Sequence, residues 1–236
     1  MIETTRLILR PFREEDAADV FEYLEKPTVN CFACMKLNSL EEAQAAVKEK
    51  MAHSEYCFAI VLRDTGKVIG EIEAHPESSQ PDAAENYVKD TFSPCWMLNP
   101  SYQGKGYAFE AAHAFFDYLF YQKGARRIYA YTEDYNLPSQ NLCKKLGMRQ
   151  EGLFREFVSF VNNAEGNPIY ENTMQWAILK KEWEAQSIGH EFFHKRSSLW
   201  FLKSVYHNRA RMHKRLVNYL FCDMIGPKEG DSHESV

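Results

Sequence analysis

The stretch Asn99-Pro-Ser-Tyr-Gln-Gly-Lys-Gly-Tyr-Ala108 joins a predicted strand, Thr91 to Leu98, to an amphipathic helix, Ala108 to Tyr121. Two glycines just ahead of a helix let successive backbone N–H groups approach an anion, and the helix dipole adds to their pull. Lys105 puts a positive charge between Gly104 and Gly106. The stretch therefore reads as a phosphate-binding loop. Two familiar patterns fail on it. No Gly-Lys-Ser/Thr follows a four-residue gap after a glycine, which excludes the Walker loop. Phe109 stands where a dinucleotide-binding fingerprint needs its third Gly or Ala, and the preceding strands are hairpin-linked.

Towards the N-terminus, Thr5 to Pro11 alternates apolar and polar residues as a first strand. Glu14 to Leu24 carries Ala17, Val20, Phe21 and Leu24 at helical spacing. Ser39 with Glu42 three residues on has the pattern of a helix N-cap, so a second helix starts there. Tyr56 to Leu62 and Lys67 to Ala74 read as a hairpin about Asp64-Thr-Gly66, and Pro76 to Asn86 as a polar loop. Towards the C-terminus come a strand, Arg127 to Thr132, and a short helix, Ser139 to Leu146, stopped by Gly147. Two strands at about 152–160 and 169–179 flank a turn at Asn162 to Gly166. The expected fold class is mixed α/β, a mostly antiparallel sheet with helices on both faces, plus a C-terminal helical extension.

The chain of 236 residues is 45% hydrophobic and 14% aromatic, which supplies a buried core and excludes a disordered polyampholyte. Its net charge of −5 is unevenly spread: residues 187–236 carry +3 and residues 1–186 carry −8. The whole molecule is thus not a generic polyanion binder. Charges break every apolar run near Met1, and no stretch reaches the ~18 apolar residues of a membrane span, so a cytoplasmic protein without a membrane partner is expected. Cys31, Cys34, Cys57, Cys95, Cys143 and Cys222 are scattered rather than framed as disulfides. Cys31 and Cys34 have the spacing of half a zinc knuckle, but no second pair accompanies them; free thiols and no metal are the expectation.

A third phosphate-binding pattern, [QR]-x-x-G-x-[GA], is satisfied by Gln103, Gly106 and Ala108. Here the sequence resembles the GNAT superfamily of N-acetyltransferases. Four landmarks in order, over about residues 3–185, resemble the branch that acetylates ribosomal-protein N-termini and assorted small amines. They are Thr5-Arg6-Leu7-x-Leu9-Arg10-Pro11 with Glu15-Asp16, the loop Tyr102 to Ala111, Asn136-x-x-Ser139 with Lys145-Leu-Gly-Met148, and Tyr170 with Leu179-x-x-x-Trp183. Gln103 stands where that branch often has Trp or Arg, and Pro168-Ile-Tyr170 lacks its usual Asp before Tyr. The resemblance implies a GNAT-like fold and acetyl-CoA as co-substrate. It implies that the Leu98 backbone holds the pantetheine arm, and that Gln103, Gly104, Lys105, Gly106, Tyr107 and Ala108 hold the pyrophosphate. Asn136 and Ser139 then lie near the pantetheine or phosphates; a helix N-cap at Ser139 is an equally good use of that residue.

Acetyl transfer to an amine requires a neutral nucleophile, yet a free amine has a pKa near ~10, so a carboxylate or water chain must take its proton. Glu71 and Glu73 sit two apart on one strand and share a face; Glu133 and Asp134 follow the strand next to the cofactor. A solvated strand face is the alternative for any of them. The departing thiolate needs a proton too. Many superfamily members place a Tyr seven residues after the Asn of the fourth-helix motif, where this chain has Cys143. Cys143 is the candidate donor or a small core residue, with Tyr131 and Tyr135 as further donors. The acceptor expected is a cationic small molecule; the alternatives are a peptide or protein N-terminus as acceptor, of the ribosomal-protein type, or a non-enzymatic acyl-CoA-binding or nucleic-acid-tethered module that keeps the fold.

Domain boundaries follow from these readings: an acetyltransferase-like domain at 1–186, a basic aromatic helical extension at 187–225, and a disordered tail at 226–236. Between His190 and Phe221, Leu202, Val205, Met212, Leu216 and Leu220 fall at helical spacing among seven Lys/Arg. That segment is expected to cover apolar surface within the chain or across a homodimer, with contact to nucleic acid or the ribosome through 190–221 as the alternative.

Overall fold

The computed structural model describes residues 1–78 and 88–186, and the structural statements here concern those residues. Among them eight strands form one sheet: β1 (Ile2–Glu3), β2 (Leu7–Arg10), β3 (Cys57–Leu62), β4 (Val68–Glu77), β5 (Thr91–Leu98), β6 (Arg127–Glu133), β7 (Arg149–Asn162) and β8 (Pro168–Leu179). Their spatial order is β1-β2-β3-β4-β5-β6-β8-β7. The helices bounded within the described residues are α1 (Ala17–Leu24), α2 (Leu40–Ala52), α3 (Tyr107–Asp117) and α4 (Leu137–Lys145), and residues 180–186 are helical as well. The expected mixed sheet with helices on both faces is what forms. The expectations for 187–225 and 226–236, and most of the loop at Pro76 to Asn86, lie outside the described residues.

All six residues of β3 are buried, which requires helices on both faces of the sheet there. Alternation sorts the side chains. Phe58, Ile60 and Leu62 join Leu9, Ile72, Phe92, Trp176 and the α3 residues Phe115 and Phe116 in one core. Cys57, Ala59 and Val61 join Phe12, Val20, Tyr23 and Val47 from the α1–α2 side in a second. Each fully buried side chain of this size contributes about 1.5–3 kcal/mol relative to exposure. Short polar devices set the helix starts. Ser39 Oγ accepts the Glu42 N–H at 3.3 Å, as its position foretold, while the Glu42 carboxylate reaches back to the Asn38 N–H at 2.7 Å. A 3₁₀ helix at Asn30–Met35, not foreseen from the pattern, joins α1 to α2.

The sheet is antiparallel except where β5 meets β6. Those two pair in parallel at Thr91↔Arg127 and Phe92↔Ile128 only, and then part. The other edge of β5 stays paired with β4 through Gly70↔Leu98. The Asn99 N–H donates to Ile69 C=O at 2.8 Å, so odd-numbered residues of β5 bond towards β4 and even-numbered ones face β6. Pro94 is even-numbered and has no N–H to offer on that edge; the ladder stops before it. Beyond it, the backbone groups of Trp96 and Leu98 face a gap.

Gly70 keeps β5 tight against β4 beside that gap. A Cβ at Gly70 would lie 2.2 Å from the Met97 carbonyl oxygen and 2.9 Å from the Leu98 Cα, both backbone atoms. Gly70→Ala should therefore displace the end of β5 and destabilise the fold by about 1–3 kcal/mol. Calorimetry should record a melting temperature several degrees lower, and an unchanged melting curve would contradict this account.

Candidate active site

At the N-terminus of α3, Gly104 and Gly106 take φ values of +74° and +84°. Side-chain-bearing residues resist both, which is why the sequence has glycine there. Gly106 caps α3, so the first N–H groups of the helix point out of the loop without helical partners. The loop is held from behind by the N-terminal strand region. Arg6 Nη1 donates to Lys105 C=O at 3.0 Å, Arg6 Nε donates to Glu110 Oε2 at 2.7 Å, and the guanidinium lies 4.5 Å from the Tyr107 ring centre. Glu110 Oε1 also accepts the Arg6 N–H and the Thr4 hydroxyl, each at 2.7 Å. Lys105 folds back, its Nζ donating to Ser101 C=O at 3.0 Å and lying 5.1 Å from the Tyr102 ring centre.

A cavity of about 580 Å³ runs from this loop into the gap between β5 and β6. Leu98, Gln103, Gly104, Gly106, Tyr107, Ala108, Asn136 and Ser139, all singled out in the sequence, line it together; Lys105 does not. Gln103 Nε2 donates to Leu98 C=O at 3.2 Å, tying the loop to the end of β5. Asn136 rather than Ser139 is the N-cap of α4: its Oδ1 accepts the Ser139 N–H at 3.3 Å. The helix starts two residues earlier than expected because Pro138 fits its first turn. Ser139 is thereby left for the cavity, where its Oγ accepts Trp96 Nε1–H at 3.3 Å.

Known proteins share this fold. The acetyltransferase (GNAT) domain model matches residues 6–149. The N-acetyltransferase YnaD of Bacillus subtilis is 32% identical over 182 residues, spanning 77% of this chain and 98% of that protein. The chain belongs to the GNAT acetyltransferases. An acetyltransferase of the GNAT family from Bacillus anthracis has the same fold with a TM-score of 0.65 at 28% identity, covering 76% of this chain and 98% of that one. A ribosomal-protein-S5-alanine acetyltransferase from Vibrio fischeri, at 18% identity, shares the fold with a TM-score of 0.57 over 77% of this chain and 97% of its own.

In this GNAT domain the candidate acid–base residues fare differently from the glycine loop. Glu71 and Glu73 do share a face, the one covered by α1 and α2. Glu71 is buried there and engaged on both oxygens, accepting the Tyr23 hydroxyl and the Lys50 ammonium at 2.8 Å each. Burial, with the Glu71 charge second, pushes the Tyr23 hydroxyl well above the usual phenol range. Glu71 is thus a structural ion pair, not a free base. Glu73 is half-buried and lines a second cavity of about 820 Å³ with Lys50, His53 and Cys57, its Oε1 lying 3.8 Å from His75 Nε2. Of the two readings of Cys143, proton donor or small core residue, the packing favours the second: it is fully buried in the α3-side core and does not line the cavity of about 580 Å³. Burial pushes its thiol up to about 12, which makes it a poor proton donor.

Two further acids were not foreseen as such a pair. Glu133 and Glu171 are buried on the α1–α2 face, at 6% and 8% exposure. Tyr135, which lines the cavity, donates its hydroxyl to Glu171 Oε2 at 3.0 Å, and Asn136 Nδ2 donates to Glu133 Oε2 at 3.2 Å. Asp134 is exposed and accepts from Asn172 Nδ2 at 2.7 Å. Cys31 lies beside Glu133; burial first and that carboxylate second push its thiol well up. Among the described residues no three His, Cys, Asp or Glu gather as metal ligands, and no helix is long and apolar enough to cross a membrane.

Since Cys143 touches only core atoms, Cys143→Ala should leave the turnover of acetyl-CoA within about twofold while costing on the order of 1 kcal/mol of stability. Steady-state thiol release together with thermal unfolding checks both halves; a large fall in turnover at full stability would restore Cys143 as a proton donor.

Proposed function

We propose that this GNAT enzyme transfers the acetyl group of acetyl-CoA to a primary amine by direct attack in a ternary complex, and that the acceptor is a small cationic molecule. The observation that carries the reading is the parting of β5 from β6, which leaves a bare backbone edge beside a glycine loop at a helix N-terminus. Acetyl-CoA supplies the thioester. The N–H groups of Gly104 to Ala108 suit its pyrophosphate, and the Trp96–Leu98 edge suits its pantetheine amides. An outward N–H of that edge also suits the negative charge that grows on the thioester oxygen.

The amine arrives protonated and must shed one proton before attack. The acids of the α1–α2 face support this step, with Glu73 retaining solvent access and Glu133 tied to the cavity-lining Asn136. The C–N bond then forms and the C–S bond breaks. The second amine proton leaves and the thiolate takes up a proton, a transfer that balances if the Ser139 hydroxyl in the cavity relays it, gaining one proton as it passes one on. Holding both substrates together supplies much of the acceleration without any acyl-enzyme. A net charge of −8 on residues 1–186 favours cationic acceptors. One feature favours a protein N-terminus instead: Tyr131, Phe154 and Phe157 form an exposed aromatic shelf with ring centres 5.1 to 6.4 Å apart.

Thiol release measured over polyamines, aminoglycosides, amino acids and short peptides should show turnover with a small polycation. Turnover with peptides alone would move the assignment to the second reading. Gly106→Glu should weaken acetyl-CoA binding by about 100-fold or more, through like charge at the phosphates and a side chain at a left-handed position. Titration calorimetry showing wild-type affinity in that variant would remove the loop from the cofactor site.

A further inference from the structure

Four acidic side chains are buried among the described residues: Asp16, Glu71, Glu133 and Glu171. Two of them are neutralised within the fold, Asp16 by Arg10 at 2.7 Å and Glu71 by Lys50 at 2.8 Å. Among the described residues the other two have only neutral partners. Glu171 accepts from Asn30 Nδ2 at 2.6 Å and from the Tyr135 hydroxyl, and Glu133 accepts from Asn136 and lies beside the Cys31 thiol. A buried carboxylate without a cation is costly, and two such groups side by side repel each other as well.

A separate anomaly sits between them. Thr173 is 5% exposed, and its Oγ1 is the one buried side-chain N or O atom among the described residues without a hydrogen-bond partner. In the ladder Thr173 lies directly opposite Glu133, and Glu171 is two residues along the same strand. All three side chains therefore lie on one face, as do Gln175 and Tyr131 on the next rung, which bond to each other at 3.3 Å. Directly opposite residues have Cβ atoms about 4.5–5.5 Å apart and diagonal ones about 7–8 Å, so the three side chains rise from neighbouring positions and border one small volume. That volume adjoins the acyl cavity through Tyr135 and Asn136.

We infer that Glu133, Glu171 and Thr173 form the binding site for the acceptor's ammonium group, three oxygen acceptors meeting its three N–H donors. The inference rests on the amine-acetylating function proposed above and names the residues that select the acceptor. A primary ammonium both supplies the missing positive charge and satisfies the orphan hydroxyl oxygen. A quaternary ammonium, lacking N–H groups, satisfies only the first need. A neutral alcohol brings no charge.

The test uses the full-length chain saturated with CoA and an NMR titration with n-butylammonium chloride, tetramethylammonium chloride and n-butanol as probes. Wild type should bind n-butylammonium at millimolar concentration and neither of the others. Glu133→Gln should weaken that binding by about tenfold or more, and Thr173→Val by about three- to tenfold. Thr173→Val removes a hydroxyl that has no partner in the fold, so its melting temperature should hold or rise while acceptor binding falls, a combination that a merely structural role does not produce. With any amine that the enzyme acetylates, both variants should raise the KM for the amine and leave the KM for acetyl-CoA unchanged. No binding of n-butylammonium by wild type, or equal binding by wild type and both variants, overturns the site. If amines are acetylated but the variants keep their acceptor KM, the site fails and the function stands; if n-butylammonium binds as described but no amine is acetylated, the function fails and the ammonium site stands alone.

Discussion

The whole active region depends on one hydrogen-bond ladder that stops early. A β-strand inside a sheet normally spends both edges on its neighbours. β5 spends one edge in full on β4 and only the first rungs of the other on β6. Of the remaining groups the Leu98 C=O accepts from Gln103 Nε2, and the others cannot stay buried and unbonded, so they face a cavity where a ligand or water satisfies them. The parallel sense of the pairing contributes. Parallel neighbours need a crossover, and the crossover here is α3, whose N-terminus lies at the end of β5. One topological requirement thus brings a bare strand edge and an exposed helix start to the same place.

The parts of this design that depend on local backbone chemistry were legible in the sequence. Gly104 and Gly106 announce positive φ, and the strand predicted at Thr91 to Leu98 has the bounds of β5. Pro94 was an available signal for where the ladder stops, and its meaning emerges only once the even-numbered edge is known to face β6. What was not legible depends on helix phase and on contacts far apart in the chain. Cys143 and Ser139 lie four residues apart on α4, yet one enters the core and the other the cavity. The alternation along β4 correctly put Glu71 and Glu73 on one face, but no local pattern could say that Lys50, 21 residues away, would claim Glu71. The short 3₁₀ helix at Asn30–Met35 has no periodicity to read, although it brings Asn30 to Glu171 and Cys31 to Glu133.

The two faces of the sheet divide the chemistry. The α3 face is apolar almost throughout and carries the rigid core against which the cofactor loop is set. The α1–α2 face admits charge, some of it neutralised within the fold and some left open near the gap. The acyl-donor and acceptor sites proposed above call for different surroundings, and the two faces of the sheet differ in that sense, meeting where β5 and β6 part.

The clasp of Thr4 and Arg6 on Glu110 bears on how the loop acquires its shape. Its contacts span 104 to 106 residues. Such closures come late, because the chain must lose the entropy of the large loop before the contact rewards it. Glycines at 104 and 106 make the phosphate loop soft by itself, so its final curvature waits for a strand edge synthesised about a hundred residues earlier. The surface proposed above for acetyl-CoA is therefore a product of completed tertiary structure rather than of the loop's own sequence.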